Sequence, residues 1–174
     1  MHLQLSERPL IGAEAVRGRV ADLAEEVRAH YGGGDLYLLV VLKGSVPFSV
    51  DLMRGLALPL EVDYIRAKSY VGTESTGKVH FTRLPEDSLR GRHVLIVEDI
   101  LDTGNTAAAI LEFARSQRPA SVRFITLLDK PSRRVQPVEA DFVGFTIEDH
   151  FVVGYGLDYN ERYRELDAIY TMET

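Results

Sequence analysis

Between Val94 and Thr106 the sequence reads VLIVEDILDTGNT. An apolar run ends in two adjacent carboxylates, Glu98 and Asp99. Asp102, Thr103, Gly104, Asn105 and Thr106 follow, ahead of an Ala-rich stretch. A loop that leads into a helix presents free N–H groups and the positive end of the helix dipole to an anion. Thr103 and Thr106 add hydroxyl donors, and Gly104 lets the backbone approach closely. The segment Asp102–Thr106 is therefore suited to hold a phosphate. Glu98 and Asp99 would repel that phosphate; they suit ribose hydroxyls or a divalent ion. Phosphate, diol and carboxylates together outline a ribose 5-phosphate site. Helix capping alone would account for Asp102 and Thr103, but not for two more carboxylates at the end of so apolar a strand. The pattern is neither G-x-G-x-x-G nor G-x-x-x-x-G-K-[ST], which disfavours a dinucleotide or P-loop site.

These residues need a rigid support. Val16, Val20, Leu23, Ala24, Val27 and Tyr31 fall at helical spacing, and Gly32-Gly33-Gly34 ends that helix. Leu36–Leu42 is a continuous apolar run, read as a strand buried on both faces. Lys43-Gly44-Ser45 forms a tight loop after it, and a helix follows over Val46–Leu58, with Pro47 tolerated in its first turn. Leu60–Tyr70, Lys78–Leu84, Val94–Val97 and Val122–Leu128 read as strands, and Ala107–Ser116 as a helix. Val71–Lys78 is a polar excursion rich in Gly, Ser and Thr. The alternation implies a parallel α/β sheet. Phe142–Ile147 and Phe151–Gly156 are short β segments without long helices between them. They suggest one domain with a core over about 10–130 and a smaller C-terminal layer over about 131–174.

The 174 residues carry a net charge of −6 and no cysteine. Disulfides, thiolate metal sites and cysteine nucleophiles are thereby excluded. The diffuse acidic balance argues against a nucleic-acid or membrane-surface partner. The longest apolar run, Leu36–Leu42, is far short of the ~20 residues of a membrane helix. With no evident signal peptide, the expectation is a cytoplasmic protein. The five histidines show no metal-ligand spacing, and Arg133-Arg134 reads by default as an exposed basic pair.

VLIVEDILDTGNT resembles the phosphoribosyl-diphosphate (PRPP) signature of type I phosphoribosyltransferases. VVLKGSVPF (40–48), AKSY (67–70), LLDKPSRR (127–134) and DFVGF…FVVGYGLDYNERYREL (141–166) are similar to the hypoxanthine-guanine members. The resemblance runs from about Leu36 onward. It implies the type I fold, a parallel Rossmann-like sheet flanked by helices with a small C-terminal hood. It also implies transfer of the 5-phosphoribosyl group from PRPP to a 6-oxopurine, giving IMP or GMP and diphosphate.

By position, Glu98 and Asp99 match the pair on the ribose hydroxyls, with Mg²⁺ nearby, and Asp102 matches the residue set against purine N7 as general base. Asp102, Thr103, Gly104, Asn105 and Thr106 match the 5-phosphate loop, with Asn105 where some members have Lys. Lys43 and Gly44 resemble the diphosphate loop, which can carry a cis peptide. Ser69 and Tyr70 open a lid. Lys130 would face purine O6, Phe151 would stack on the ring, and Val152 would offer its backbone. Asp158 matches a second Mg²⁺ position, and Arg164 a residue reaching diphosphate. Family members form dimers and tetramers, so a homodimer or homotetramer is expected.

A regulator on the same fold, binding nucleotide without turnover, is the reading from another class. It could dispense with Asp102, Lys130 and the lid, and would need a basic surface; this chain has the former and lacks the latter. A transferase for xanthine or a pyrimidine is the rival within the fold, and Lys130 with Phe151 argues for 6-oxopurines.

Overall fold

The computed structural model describes residues 3–69 and 78–173. A short strand β1 (Gln4–Leu5) precedes helix α1 (Ala13–Tyr31). Val16, Val20, Leu23, Ala24 and Val27 line the buried face of α1. Gly32 ends it in the left-handed conformation (φ 63°), its N–H bonded to Arg28 O at 3.0 Å. Strand β2 (Leu36–Val41) is buried at every position, as its unbroken apolar sequence requires. Then come α2 (Val46–Leu56), β3 (Leu60–Ser69), β4 (Val79–Arg83), β5 (His93–Leu101), α3 (Asn105–Ser116) and β6 (Ser121–Asp129). A 3₁₀ turn at Pro131–Arg133 leads to β7 (Phe142–Thr146), β8 (Val152–Val153) and β9 (Tyr170–Glu173).

The main sheet has the order β4-β3-β2-β5-β6-β7. Its pairings are parallel except β3 with β4, which is antiparallel at the edge. One face packs α1 and α2 through Val20, Leu23, Phe48 and Leu52; the other packs α3 through Ala107, Ile110 and Ala114. A mostly parallel sheet covered on both sides is the α/β architecture that the strand–helix alternation implies.

Helix α2 stops at Leu56 and β8 covers only Val152–Val153, both shorter than read in the sequence, and two larger differences concern β5 and β7. Strand β5 continues to Leu101, so Glu98 and Asp99 lie within it, Glu98 opposite Thr126 and Ile100 opposite Leu128 of β6. Strand β7 is the sixth strand of the main sheet, not part of the C-terminal layer. The smaller sheet has the order β1-β9-β8, with Gln4 opposite Glu173, so both ends of the chain build the hood. Tyr155 OH donates to the Asp51 carboxylate and ties the hood to α2. No helix among the described residues is long and apolar enough to cross a membrane.

Candidate active site

From β2 the chain turns through α2 to β3 on one side; from β5 it turns through α3 to β6 on the other. The strand order therefore reverses between β2 and β5. A crevice opens at the carboxyl ends of strands at such a point. A cavity of about 250 Å³ lies there, lined by Val41, Leu42, Ala67, Ala107, Thr106 and the run Glu98–Gly104.

Gly104 starts α3 with φ 86°, a conformation that favours glycine; a Cβ there would stand 3.1 Å from Arg134 Cδ. Ala108 N–H makes the first intrahelical bond, to Gly104 O at 2.8 Å. The amides of Thr106 and Ala107 precede it at the positive end of the helix. The Asn105 side chain turns away from the loop. Its Oδ1 accepts a bond from Gln136 Nε2 at 3.0 Å, and its side chain does not line the cavity.

The segment after β6 holds this loop from outside. Lys130 N–H bonds Leu101 O (3.0 Å), and Val135 and Gln136 N–H bond Thr103 O (2.8 and 3.1 Å). Arg134 Nε donates to Asp102 O at 3.0 Å, and its Nη2 pairs with Asp129. Arg134 is thus a largely buried strut and not half of an exposed pair. Arg133 is half-exposed and donates to Asp102 Oδ1 at 3.2 Å.

Glu98 is only 7% exposed. Its Oε1 accepts bonds from Ser45 Oγ (3.2 Å) and Asp99 N–H (3.3 Å). Burial, then the neighbouring Asp99 charge, holds the Glu98 carboxyl well above the ordinary range; burial raises Asp99 as well. A Cβ on Gly44 would fall 1.8 Å from Asp99 Oδ2, so only glycine fits beneath that carboxylate. The Leu42–Lys43 peptide bond is cis. Gly156 (φ +99°) is equally confined, since its Cβ would meet Gly44 O at 2.0 Å.

Lys43 and Arg164 meet through an unexpected partner. Glu161 Oε2 accepts from Lys43 Nζ at 2.8 Å, and Oε1 from Arg164 Nη2 at 3.3 Å. Arg164 also pairs with Asp158 (3.1 Å) and bonds Gly156 O (2.7 Å). The second Asp158 oxygen accepts Glu161 N–H at 2.9 Å. Lys130 is 5% exposed, with Asp149 at 3.8 Å from its ammonium. Phe151 is 48% exposed and meets Tyr159 edge to face; Val152 is buried opposite Thr171. Neither Phe151 nor Val152 lines the crevice cavity. Ser69 ends β3, while Tyr70 and the expected lid over residues 71–77 lie outside the described residues.

The structure thus brings Glu98, Asp99, Asp102, Thr103, Gly104 and Thr106 into one crevice and sets Gly44 against Asp99. Glu161 and Asp149 carry no signal in the sequence, since each is an ordinary surface carboxylate there; Ser45 reads only as part of the Lys43–Ser45 loop, and its bond to Glu98 joins residues 53 positions apart.

The phosphoribosyl transferase domain family matches residues 12–160. A hypoxanthine-guanine phosphoribosyltransferase of Bacillus subtilis is 42% identical over 164 residues, covering 94% of this chain and 91% of the relative. A bifunctional TilS/HprT protein of Listeria innocua is 41% identical over 164 residues, 94% of this chain; the chain spans only 25% of that relative's length. The crystal structure of a Bacillus anthracis hypoxanthine-guanine phosphoribosyltransferase superposes with a TM-score of 0.92 at 36% identity, covering 99% of this chain and 100% of the other. With a crevice that sets a helix N-terminus beside paired carboxylates, this chain belongs to the phosphoribosyl transferase family and, within it, to the hypoxanthine-guanine phosphoribosyltransferases.

Proposed function

We propose that this protein transfers the 5-phosphoribosyl group of PRPP to N9 of a 6-oxopurine, hypoxanthine or guanine, releasing diphosphate. The observation that carries the reading is the crevice at the strand-order reversal, where the buried Glu98 and the partly buried Asp99 stand beside a helix N-terminus. Thr103, Gly104, Thr106 and the first amides of α3 receive the 5-phosphate, with Asn105 serving through its backbone. Glu98 and Asp99 receive the ribose hydroxyls. Lys43, Gly44 and Arg164 face the diphosphate once Glu161 gives way. Asp102 lies against N7 and accepts or orients its proton as the glycosidic bond forms. Lys130 donates to O6. Adenine offers a donor there, leaving the amine unpaired. Phe151, half-exposed on the hood, stacks on the base, and Val152 supplies backbone groups. Ser69 and Tyr70 begin the lid that keeps water out.

Mg²⁺ fits this donor set. Among the described residues no group of three or more His, Cys, Asp or Glu forms a metal cage. Mg²⁺ commonly takes one or two carboxylates and completes its shell with water and substrate oxygens. Glu98 and Asp99 supply such oxygens; burial raises the pKa of both, and for Glu98 the Asp99 charge adds to it. When bound, Mg²⁺ would shield the charge of the leaving diphosphate. Asp158 was a further candidate. Both its oxygens are bonded here, to Arg164 and Glu161 N–H, which suits a role in placing Arg164. The cysteine-free sequence suits the reducing cytoplasm.

The test is purified protein with Mg²⁺, PRPP and, separately, hypoxanthine, guanine, xanthine, adenine and uracil. Nucleotide from hypoxanthine or guanine, and none from adenine or uracil, is expected. No product from any base, or adenine as the preferred one, would overturn the reading.

A further inference from the structure

We infer that Asp149 and Arg133 act as a positioning pair that spaces Lys130 and Asp102 to grip two adjacent atoms, O6 and N7, on one edge of the purine. The inference rests on the function proposed above. Four charges of alternating sign run from the hood to the crevice. Lys130 Nζ lies 3.8 Å from Asp149 Oδ1; the same oxygen lies 3.8 Å from Arg133 Nε; Arg133 Nε lies 3.2 Å from Asp102 Oδ1. Among the described residues Asp149 is the ion-pair partner of Lys130, and that side chain is only 7% exposed. A buried ammonium without a counter-charge would be costly.

The chain of charges matches the base. A 6-oxopurine carries an O6 acceptor beside N7 on the same edge, whereas adenine replaces O6 with a donor. A donor from Lys130 beside an acceptor from Asp102 reads O6 next to N7–H. The spacing of that donor and acceptor is set by what lies between them, and here that is Asp149 and Arg133.

The backbone supports the arrangement. Lys130 N–H bonds Leu101 O, and Arg133 N–H bonds Lys130 O at 3.1 Å, closing the 3₁₀ turn that carries both cations. Arg133 and Asp149 are each about half-exposed, so their ion pairs contribute little to stability. A base seated over them would exclude water and strengthen the same contacts.

The test compares Asp149→Asn, Arg133→Met and Arg133→Lys with wild type by steady-state kinetics on hypoxanthine, with adenine as a competing base, and by thermal melts. For Asp149→Asn and Arg133→Met, KM for hypoxanthine should rise about tenfold, the cost of slightly misplacing one of the two gripping groups. KM for PRPP should stay within about twofold in both; Tm should hold for Arg133→Met, whose ion pairs are half-exposed, while Asp149→Asn lowers it by leaving the buried Lys130 ammonium without its counter-charge. Discrimination against adenine should weaken, and Arg133→Lys should recover most of the base affinity. Wild-type KM for hypoxanthine in both charge-removing variants would overturn the inference. So would a parallel rise of both KM values in Arg133→Met with a fall in its Tm, which marks a merely structural role. If wild type itself made no nucleotide from hypoxanthine or guanine, the functional reading would fail first and this inference with it.

Discussion

A Cβ on Gly44 would press into Asp99 Oδ2, so Gly44→Ala must displace either the loop or the carboxylate. Van der Waals radii allow no third option. KM for PRPP should rise by about tenfold or more, since small misplacements of a binding group cost that much. The far-UV spectrum should remain native, and an unchanged KM would contradict the contact. Asp102→Ala addresses chemistry more than binding. It should lower kcat by roughly 10²–10⁴, the usual range for a general acid–base group, with KM for PRPP little changed.

The carboxylate pair gives a pH signature. Burial lifts Glu98 and Asp99 above their ordinary values of 4.5 and 3.8, so the folded, ligand-free protein holds protons more tightly than the unfolded chain. That stabilisation is full below the unfolded values and fades as pH rises through the folded ones. Glu98→Gln should therefore resist urea better than wild type at pH 8, with the difference shrinking toward acid, while it weakens PRPP binding. Equal midpoints at both pH values would contradict it. At this scale the sequence disclosed the charged and glycine residues of VLIVEDILDTGNT, because they lie together along the chain. Asp149 stayed hidden, as did the bond from Ser45 to Glu98, since only folding brings Asp149 to Lys130 and Ser45 to Glu98.

Strand β3 holds more than its place in the sheet. Its Asp63 accepts bonds from Tyr37 OH (2.9 Å), Tyr64 N–H (2.7 Å) and Glu86 N–H (2.7 Å), pinning the loop that leads into β5. Burial pushes the Asp63 pKa up, but these donors outweigh it and hold the carboxyl below its usual value of 3.8. The stabilisation is then present above that value and lost as pH falls through the folded pKa. Asp63→Asn should cost about 1–3 kcal/mol near neutrality, the range for disturbing a buried hydrogen-bonded group. Urea melts should show the gap from wild type closing below about pH 4; a gap independent of pH would contradict this account. Elements with one strong local pattern, α1, β2 and α3, emerged close to their observed limits. Strand β5 was read too short because Glu98 and Asp99 are polar, yet pairing with β6 carries the ladder past them. Strand β7 reads as part of the hood because no long helix precedes it, yet it pairs in parallel with β6 across a connection that holds only the 3₁₀ turn.

At the scale of the molecule, the hood depends on both ends of the chain. Residues 1–35 hold no chemical motif, yet Gln4 and Leu5 extend the hood sheet and Ile11 bridges Ile169. Deleting residues 1–6 should raise KM for the base more than KM for PRPP, because the hood carries Lys130's partner Asp149, Phe151 and Val152. Equal effects on both would contradict that division. The family resemblance implies association, so the solution mass should be two or four times 19.5 kDa; a monomer by light scattering would contradict it. The net charge of −6 is compatible with an anionic substrate, since amides at the start of a helix and a few cations suffice to meet a phosphate locally. The central claim is phosphoribosyl transfer to a 6-oxopurine, and phosphorus NMR of PRPP, Mg²⁺ and hypoxanthine with this protein tests it most directly. The signals of PRPP should be replaced by equal amounts of a nucleoside monophosphate and diphosphate, only when the base is present. Unchanged PRPP, or diphosphate released without nucleotide, would contradict the account.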